Sequence, residues 1–233
     1  MATQALHILF AAAEFDPLVK VGGLGEAAAG LVGELRRRGL HVDVVLPDYG
    51  AVRLLGQTEE RVDVPDWAGP AKARTGRIPG VGEVTLVSVP NISRPHPYAN
   101  PDTGRTWPDN DRRFLAFSAA VAELAVQRQP DVVHLNDWHT AAGTAFLPEA
   151  MPCLLGIHNL AYQGQADRSW LQHLGPRAWA FDQFDETNPL AGAVRLADRI
   201  VAVSAGYAKE ILTDAHGAGL QGILAEQIGR AHV

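Results

Sequence analysis

The run Lys20-Val-Gly22-Gly23-Leu-Gly25-Glu26 sets a flexible ammonium beside three closely spaced glycines, just ahead of an alanine-rich segment. Gly22 and Gly23 carry no Cβ, so the backbone there can come close to a ligand. A helix starting near Gly25 points unpaired N–H groups and the positive end of its dipole into the same space. Backbone donors, dipole and ammonium together suit a phosphate or pyrophosphate; the same residues also read as a glycine-rich turn beside a solvated lysine, and both readings stand. Three more polar clusters occur: Asn136-Asp137-Trp138-His139, then His158-Asn159 with Tyr162 and Gln163, then Ser204. Imidazole, carboxylate and amide groups each bind hydroxyls. His139 and His158 beside Asp137 and Asn159 therefore suit a sugar-like ligand, although a lone histidine is more often a structural hydrogen-bonding residue.

The elements around these clusters explain why they belong together. Short apolar runs read as strands at His7–Ala12, His41–Leu46, Val84–Val89, Asp131–Leu135, Cys153–Ile157 and Arg199–Val203. Helices are expected over Glu26–Arg38, stopped by Gly39, and over Arg112–Gln127, where Phe114, Phe117, Val121 and Leu124 form one apolar face. A short helix is expected over Trp138–Leu147, and another, capped by Ser204, running to Leu212. Asn91–Asn110 is rich in turn formers and reads as a long loop, while Gly164–Asn188 has no clear period. Alternating strands and helices predict an α/β fold with a Rossmann-like, mainly parallel sheet and helices on both faces. In such a sheet ligands bind beyond the carboxyl ends of the strands, where all four polar clusters fall.

Three other chemistries fit less well. Gly23-x-Gly25-x-x-Ala28, with Asp43 20 residues beyond Gly23, matches a loose dinucleotide fingerprint and would make the chain a nicotinamide-dependent oxidoreductase. However, Phe15–Val21 separates the glycines from the first strand, and Asp43 does not end the second. No His/Cys/Asp/Glu group has metal-ligand spacing, and Asp109-Asn-Asp111, a possible D-x-D metal motif, sits where a helix cap is expected. No serine occupies a G-x-S-x-G elbow.

Composition narrows the class. The 233 residues suit one large domain or two small ones, and 47% hydrophobic content is enough for a core, which excludes wholesale disorder. A net charge of −6 argues against a nucleic-acid partner. No run reaches the ~20 apolar residues of a membrane helix. Met1–Phe10 lacks a basic start and reads as a first buried strand, not a signal peptide. Cys153 is the single cysteine, which excludes an internal disulfide framework and predicts a cytoplasmic chain.

The clusters, with others, resemble a known family. The matching pieces are Glu14-Phe-Asp-Pro-Leu-Val-Lys20-Val-Gly-Gly-Leu-Gly-Glu26, Leu46-Pro-Asp-Tyr49, Pro97-Tyr98 through Asp109-Asn110 with Arg113-Phe114, Asn136-Asp-Trp-His-Thr140, Ile157-His-Asn-Leu-Ala-Tyr-Gln-Gly164, and Ala197-Asp-Arg-Ile200 with Val203-Ser204 and Tyr207-Ala208. In this order they resemble the bacterial glycogen synthase and plant starch synthase family. The resemblance implies the N-terminal half of a two-domain GT-B glycosyltransferase, moving glucose from ADP-glucose to the non-reducing end of an α-1,4-glucan with retention, without metal or cofactor. It casts Lys20 as the lysine near the donor phosphates, Gly22 and Gly23 as the loop the diphosphate approaches, and His158 as the histidine at the reaction centre. Asp137, Asn159 and Tyr162 then belong to the sugar or acceptor pocket, with Glu14 and Tyr98 on the acceptor side; His139, Gln163 and Ser204 complete the candidate set.

The sequence departs from the family pattern at Glu26, usually Asp, at Ser204-Ala-Gly-Tyr207, usually Ser-Pro-Thr-Tyr, and at Asn188-Pro-Leu-Ala-Gly-Ala193, which lacks the family lysine. The resemblance also predicts that residues 1–233 form one acceptor-side domain and that a C-terminal nucleotide domain, which would complete the donor site, is missing. A catalytically incomplete glucan-binding module is the expectation's alternative form.

Overall fold

The structure, a computed structural model, describes residues 5–228. Its main sheet holds eight strands: β1 (His7–Ala11), β2 (His41–Pro47), β3 (Leu55–Val62), β4 (Ala71–Ile78), β5 (Gly82–Ser88), β6 (Val132–Asn136), β7 (Cys153–Ile157) and, named with the later elements of the chain, β10 (Arg199–Ala202). The spatial order is β10-β7-β6-β1-β2-β5-β4-β3. The six strands from β10 to β5 run parallel, whereas β4 and β3 add an antiparallel edge. A two-residue hairpin, β8 (Asp182–Gln183) and β9 (Glu186–Thr187), stands apart.

Alternation along the strands divides the core into two layers. Leu9 and Ala11 face one side with Val45, Val87, Val133 and Leu135, against Phe117, Ala120, Val121 and Leu124 of α2 (Asn110–Arg128). Phe10 faces the other with Val42, Val44, Val84 and Leu86, against Ala28 and Val32 of α1 (Gly23–Arg37). Helices thus cover both faces, as a parallel sheet requires. The expected strands are present to within a residue or two. β2 extends one residue further, through Pro47, and α1 begins three residues earlier than expected, at Gly23.

Several elements lie where the sequence gave little or no signal. β3 exposes every residue except Val62, so it has no apolar alternation to detect. The expected Trp138–Leu147 helix is one α-turn, α3 (Trp138–Ala141), followed by a 3-10 turn over Ala142–Ala145. The aperiodic Gly164–Asn188 stretch contains two 3-10 helices, Arg168–His173 and Gly175–Phe181, and the small hairpin. α4 (Pro189–Leu196) and α6 (Gln221–Ile228) were not expected; Asn188 caps the former by accepting from the amide of Ala191 at 2.9 Å. The helix after Ser204, α5 (Ala205–Glu210), ends before Leu212, but its capping holds: Ser204 Oγ accepts from Tyr207 N at 3.0 Å.

Two expectations need correction. Asp109 occupies the N-cap position of α2 but makes no capping bond; its carboxylate pairs with Arg94 at 2.9 Å. Spacing along the chain hides a possible ligand group, because the fold brings His7, His41 and Asp43 from two strands to within 4.8 Å of one another. Asp43, the acidic member of the dinucleotide fingerprint, is engaged there by His7 at 2.9 Å and not at the glycine loop. Among the described residues no helix is long and apolar enough to cross a membrane.

Candidate functional site

The carboxyl ends of β1, β6 and β7 open onto one cleft of about 650 Å³. Glu14, Gly22, Gly23, Tyr98, Asp137, His139, His158, Asn159 and Tyr162 all line it, together with Leu24, Asn110, Trp138 and Val203. Residues from positions 14 to 162 therefore meet because each follows a parallel strand or is held by the long loop. A second hollow of about 370 Å³ shares Thr106, Asn110, Trp138 and Tyr162 with the first, so the two form one continuous groove.

Glu14 organises the glycine side. Its buried carboxylate accepts from the amides of Val21 and Gly22 at 2.7 and 2.8 Å and from the hydroxyl of Tyr98 at 2.7 Å. The next amides, of Gly23 and Leu24, begin α1 and have no acceptor among the described residues. They belong to the unpaired first turn of a helix, whose partial positive charge faces the cleft. A Cβ at Gly22 or Gly23 would meet nothing within 4 Å among the described residues, so the lack of side chains here leaves open space and is not a packing need.

Lys20 stands outside the cleft lining, half-exposed, paired with Glu26 and 3.6 Å from Asp16. The bond to Glu26, with the charge of Asp16, raises its pKa, and the ammonium stays fully charged. Glu26, the departure from the family aspartate, is thus the group that holds this lysine.

The histidine side is built from β6 and β7. Asn136 ends β6 opposite Gly156 of β7. Asn136 Nδ2 donates to the carbonyl of Ala11 at 3.0 Å, which turns its Oδ1 toward His158 Nε2, also at 3.0 Å. The imidazole therefore carries its proton on Nε2, and Nδ1 has no partner among the described residues. Burial lowers the pKa of His158 and holds it neutral. A Cβ on Gly156 would lie 2.7 Å from Asn136 Oδ1 and 3.0 Å from His134 Nε2, so only glycine leaves this contact intact. His134 is also neutral, its pKa pushed down to about 4 by burial.

Asp137 adopts φ 53° and ψ −176°, a conformation that costs a non-glycine residue on the order of 1–3 kcal/mol. In return its Oδ1 accepts from the amides of His158 at 2.7 Å and Asn159 at 3.3 Å, tying the ends of β6 and β7 together. Burial outweighs these bonds and pushes its pKa up to about 7. His139 stacks on Tyr98 with centroids 4.8 Å apart, and burial takes its pKa down to about 3. A neutral ring packed between Tyr98 and Trp138 offers shape and one polar edge to the cleft.

Two candidates also serve the fold, although Gln163 lines the second hollow as well. Gln163 is buried; its amide donates to the carbonyl of Ala218 at 2.9 Å and its Oε1 accepts from Asn188 at 2.6 Å, bracing the start of α4. Ser204 caps α5, next to Val203 on the rim. Sequence reasoning placed Asn136 in a polar cluster but missed its role of orienting His158; the available signal was its position two residues after His134, on the same face of one strand. It also left Arg113 without a task. That guanidinium, buried in α2, donates to the carbonyls of Ile92 and Pro97 and to Asn110, and so pins the long loop that delivers Tyr98.

Comparison with known proteins agrees with this architecture. The sequence profile described as the starch synthase catalytic domain matches residues 7–226. The chain is 40% identical to glycogen synthase 2 of Nitrosococcus oceani, over 93% of this chain and 48% of that protein. It is 37% identical to glycogen synthase of Paramagnetospirillum magneticum, over 95% and 49%. It superimposes on the catalytic domain of starch synthase IV from Arabidopsis thaliana, bound to ADP and acarbose, with a TM-score of 0.78 and 27% identity, covering 97% of this chain and 50% of that one. The chain spans about half the length of the curated relatives it matches. On the match across residues 7–226, this chain belongs to the starch synthase catalytic domain family.

Proposed function

We propose that the cleft takes part in glucosyl transfer from ADP-glucose to the non-reducing end of an α-1,4-glucan. The observation that carries this reading is the meeting, in one groove, of the free first turn of α1 with His158, Asp137 and Asn159. A helix terminus without side chains suits a diphosphate, and the polar ends of β6 and β7 suit a sugar. The starch synthase IV structure supports the assignment, since it is bound to ADP and acarbose.

As the bond between glucose and diphosphate breaks, negative charge gathers on the leaving oxygens. On this reading the Gly23 and Leu24 amides stabilise that charge, and the Lys20 ammonium, paired with Glu26 outside the cleft lining, adds its longer-range field. His158, neutral with its proton held toward Asn136, keeps a buried Nδ1 that has no partner among the described residues. The acceptor chain enters along the hollow between Thr106, Asn110, Trp138 and Tyr162, with Glu14 and Tyr98 at its inner end. The relatives are about twice as long, and the remaining donor contacts fall to the part of such a protein beyond this acceptor-side domain. The chain operates in the cytoplasm on this reading.

Calorimetric titration with ADP-glucose, maltoheptaose and NAD tests the assignment. Binding of ADP-glucose or maltoheptaose, weakened by His158→Ala, is the expected result; binding of NAD alone, or of none of the three, rejects it.

A further inference from the structure

We propose that His7, His41 and Asp43 form a site for a divalent first-row transition-metal ion of the zinc class, at the end of the sheet opposite the cleft. His7 and His41 are each the first residue of their strand and pair directly across the parallel β1–β2 ladder, so their side chains leave the same face. The rings stack with centroids 4.4 Å apart. Asp43 lies two residues beyond His41, which returns its side chain to that face.

The three side chains converge through their ligating atoms. His7 Nε2 is 2.9 Å from Asp43 Oδ2, and His41 Nε2 is 3.3 Å from Oδ1. An ion with bonds of about 2.0–2.2 Å holds neighbouring ligands at roughly these separations. It would sit where the imidazole protons now face the carboxylate. Two imidazoles and one carboxylate suit zinc, cobalt or nickel over calcium or magnesium, which prefer all-oxygen shells. His41 is exposed, so the ion has an entry path and water can complete its shell.

The surroundings moderate the affinity without closing the site. Arg128 Nη1 is 3.6 Å from Asp43 Oδ2, but this guanidinium is held by Glu60, Thr75 and Thr85. Arg36 also acts electrostatically on Asp43, though its hydrogen bonds go to the carbonyls of Val42, Val81 and Glu83. Asp131 accepts from the backbone amide of His7 at 2.7 Å and fixes the start of β1, so the ligands sit on a preformed frame. Because the cleft follows the carboxyl ends of the strands, the ion would clamp the first parallel pair and would not touch substrate.

Titration of the chelator-stripped chain with zinc chloride and with cobalt chloride tests the site, read by calorimetry and thermal melting. One ion per chain, a raised Tm, and affinity reduced at least about tenfold in His41→Gln and Asp43→Asn are expected. Cobalt should also broaden the ring resonances of His7 and His41 in wild-type NMR spectra before those of His96, His173 or His216. Absence of one-to-one binding, or cobalt broadening that spares His7 and His41, overturns the proposal even where a variant fails to fold.

Discussion

Asn136 Oδ1 lies 3.0 Å from His158 Nε2 and fixes which ring nitrogen carries the proton. The amide cannot turn over freely, since its Nδ2 is committed to the carbonyl of Ala11. Asn136→Ala should therefore leave His158 as a mixture of tautomers. Long-range ¹H–¹⁵N spectra of the histidine rings read this directly: a single Nε2–H form in wild type, a mixed signature in the variant. An unchanged spectrum in Asn136→Ala would show that the orientation comes from elsewhere.

Asp137 makes stability depend on pH in an unusual direction for a carboxylate. Its pKa is about 7 in the folded chain, above the ordinary 3.8 of an unfolded aspartate. The folded state binds the extra proton, so this contribution is complete below pH about 4 and lost as pH rises through about 7. Asp137→Asn keeps an acceptor for the His158 and Asn159 amides and cannot ionise. The stability of wild type relative to Asp137→Asn should fall by a few kcal/mol between pH about 4 and pH about 7, measured by urea unfolding across that range.

His134 and His139 act in the opposite sense. Both titrate well below an ordinary histidine, at about 4 and about 3, because they are buried. The unfolded chain takes up those protons first, so stability is lost as pH falls from about 6.5 toward those values. His139→Asn should reduce the acid sensitivity, seen as a shallower decline of Tm with falling pH.

Gly22, Gly23 and Lys20 separate binding from folding. Alanine at either glycine meets open space, and Lys20 is half-exposed. Each of Gly22→Ala, Gly23→Ala and Lys20→Ala should leave stability within about 1 kcal/mol of wild type. ADP-glucose affinity should fall in all three, most in the glycine variants, as followed by calorimetry.

Gly164 shows the contrary case. It has φ 73°, and a Cβ there would lie 2.2 Å from the Trp138 ring. Gly164→Ala should cost about 2–4 kcal/mol, measured by urea unfolding, because it combines left-handed backbone strain with displacement of a ring that floors the groove.

Much of this arrangement was legible from sequence because parallel strands are short, continuous apolar runs. HILFA, HVDVVL and CLLGI each announce themselves, and the cleft lies beyond the ends of the first and last of these, where Glu14 and His158 line it. β3 was hidden because LGQTEERV is held by main-chain pairing to β4 and leaves its side chains in water. The Gly164–Asn188 stretch was hidden for a related reason: its 3-10 helices depend on contacts such as Trp170 Nε1 with Asp111 at 3.0 Å, and local periodicity does not record them. Within the site, residue types indicated what each cluster could bind, but not which atoms were already engaged. Gln163 reads as a ligand group and, while lining the second hollow, also braces α4, and Asn136 reads as a neighbour and orients His158.

The engagement of Glu14 limits what its loop can offer. By taking the Val21 and Gly22 amides, Glu14 leaves the following amides, of Gly23 and Leu24, as donors at the mouth of α1. On the proposed reading, a nucleotide arriving there finds its backbone donors confined to one narrow spot. This end of the groove would therefore dictate where a phosphate rests.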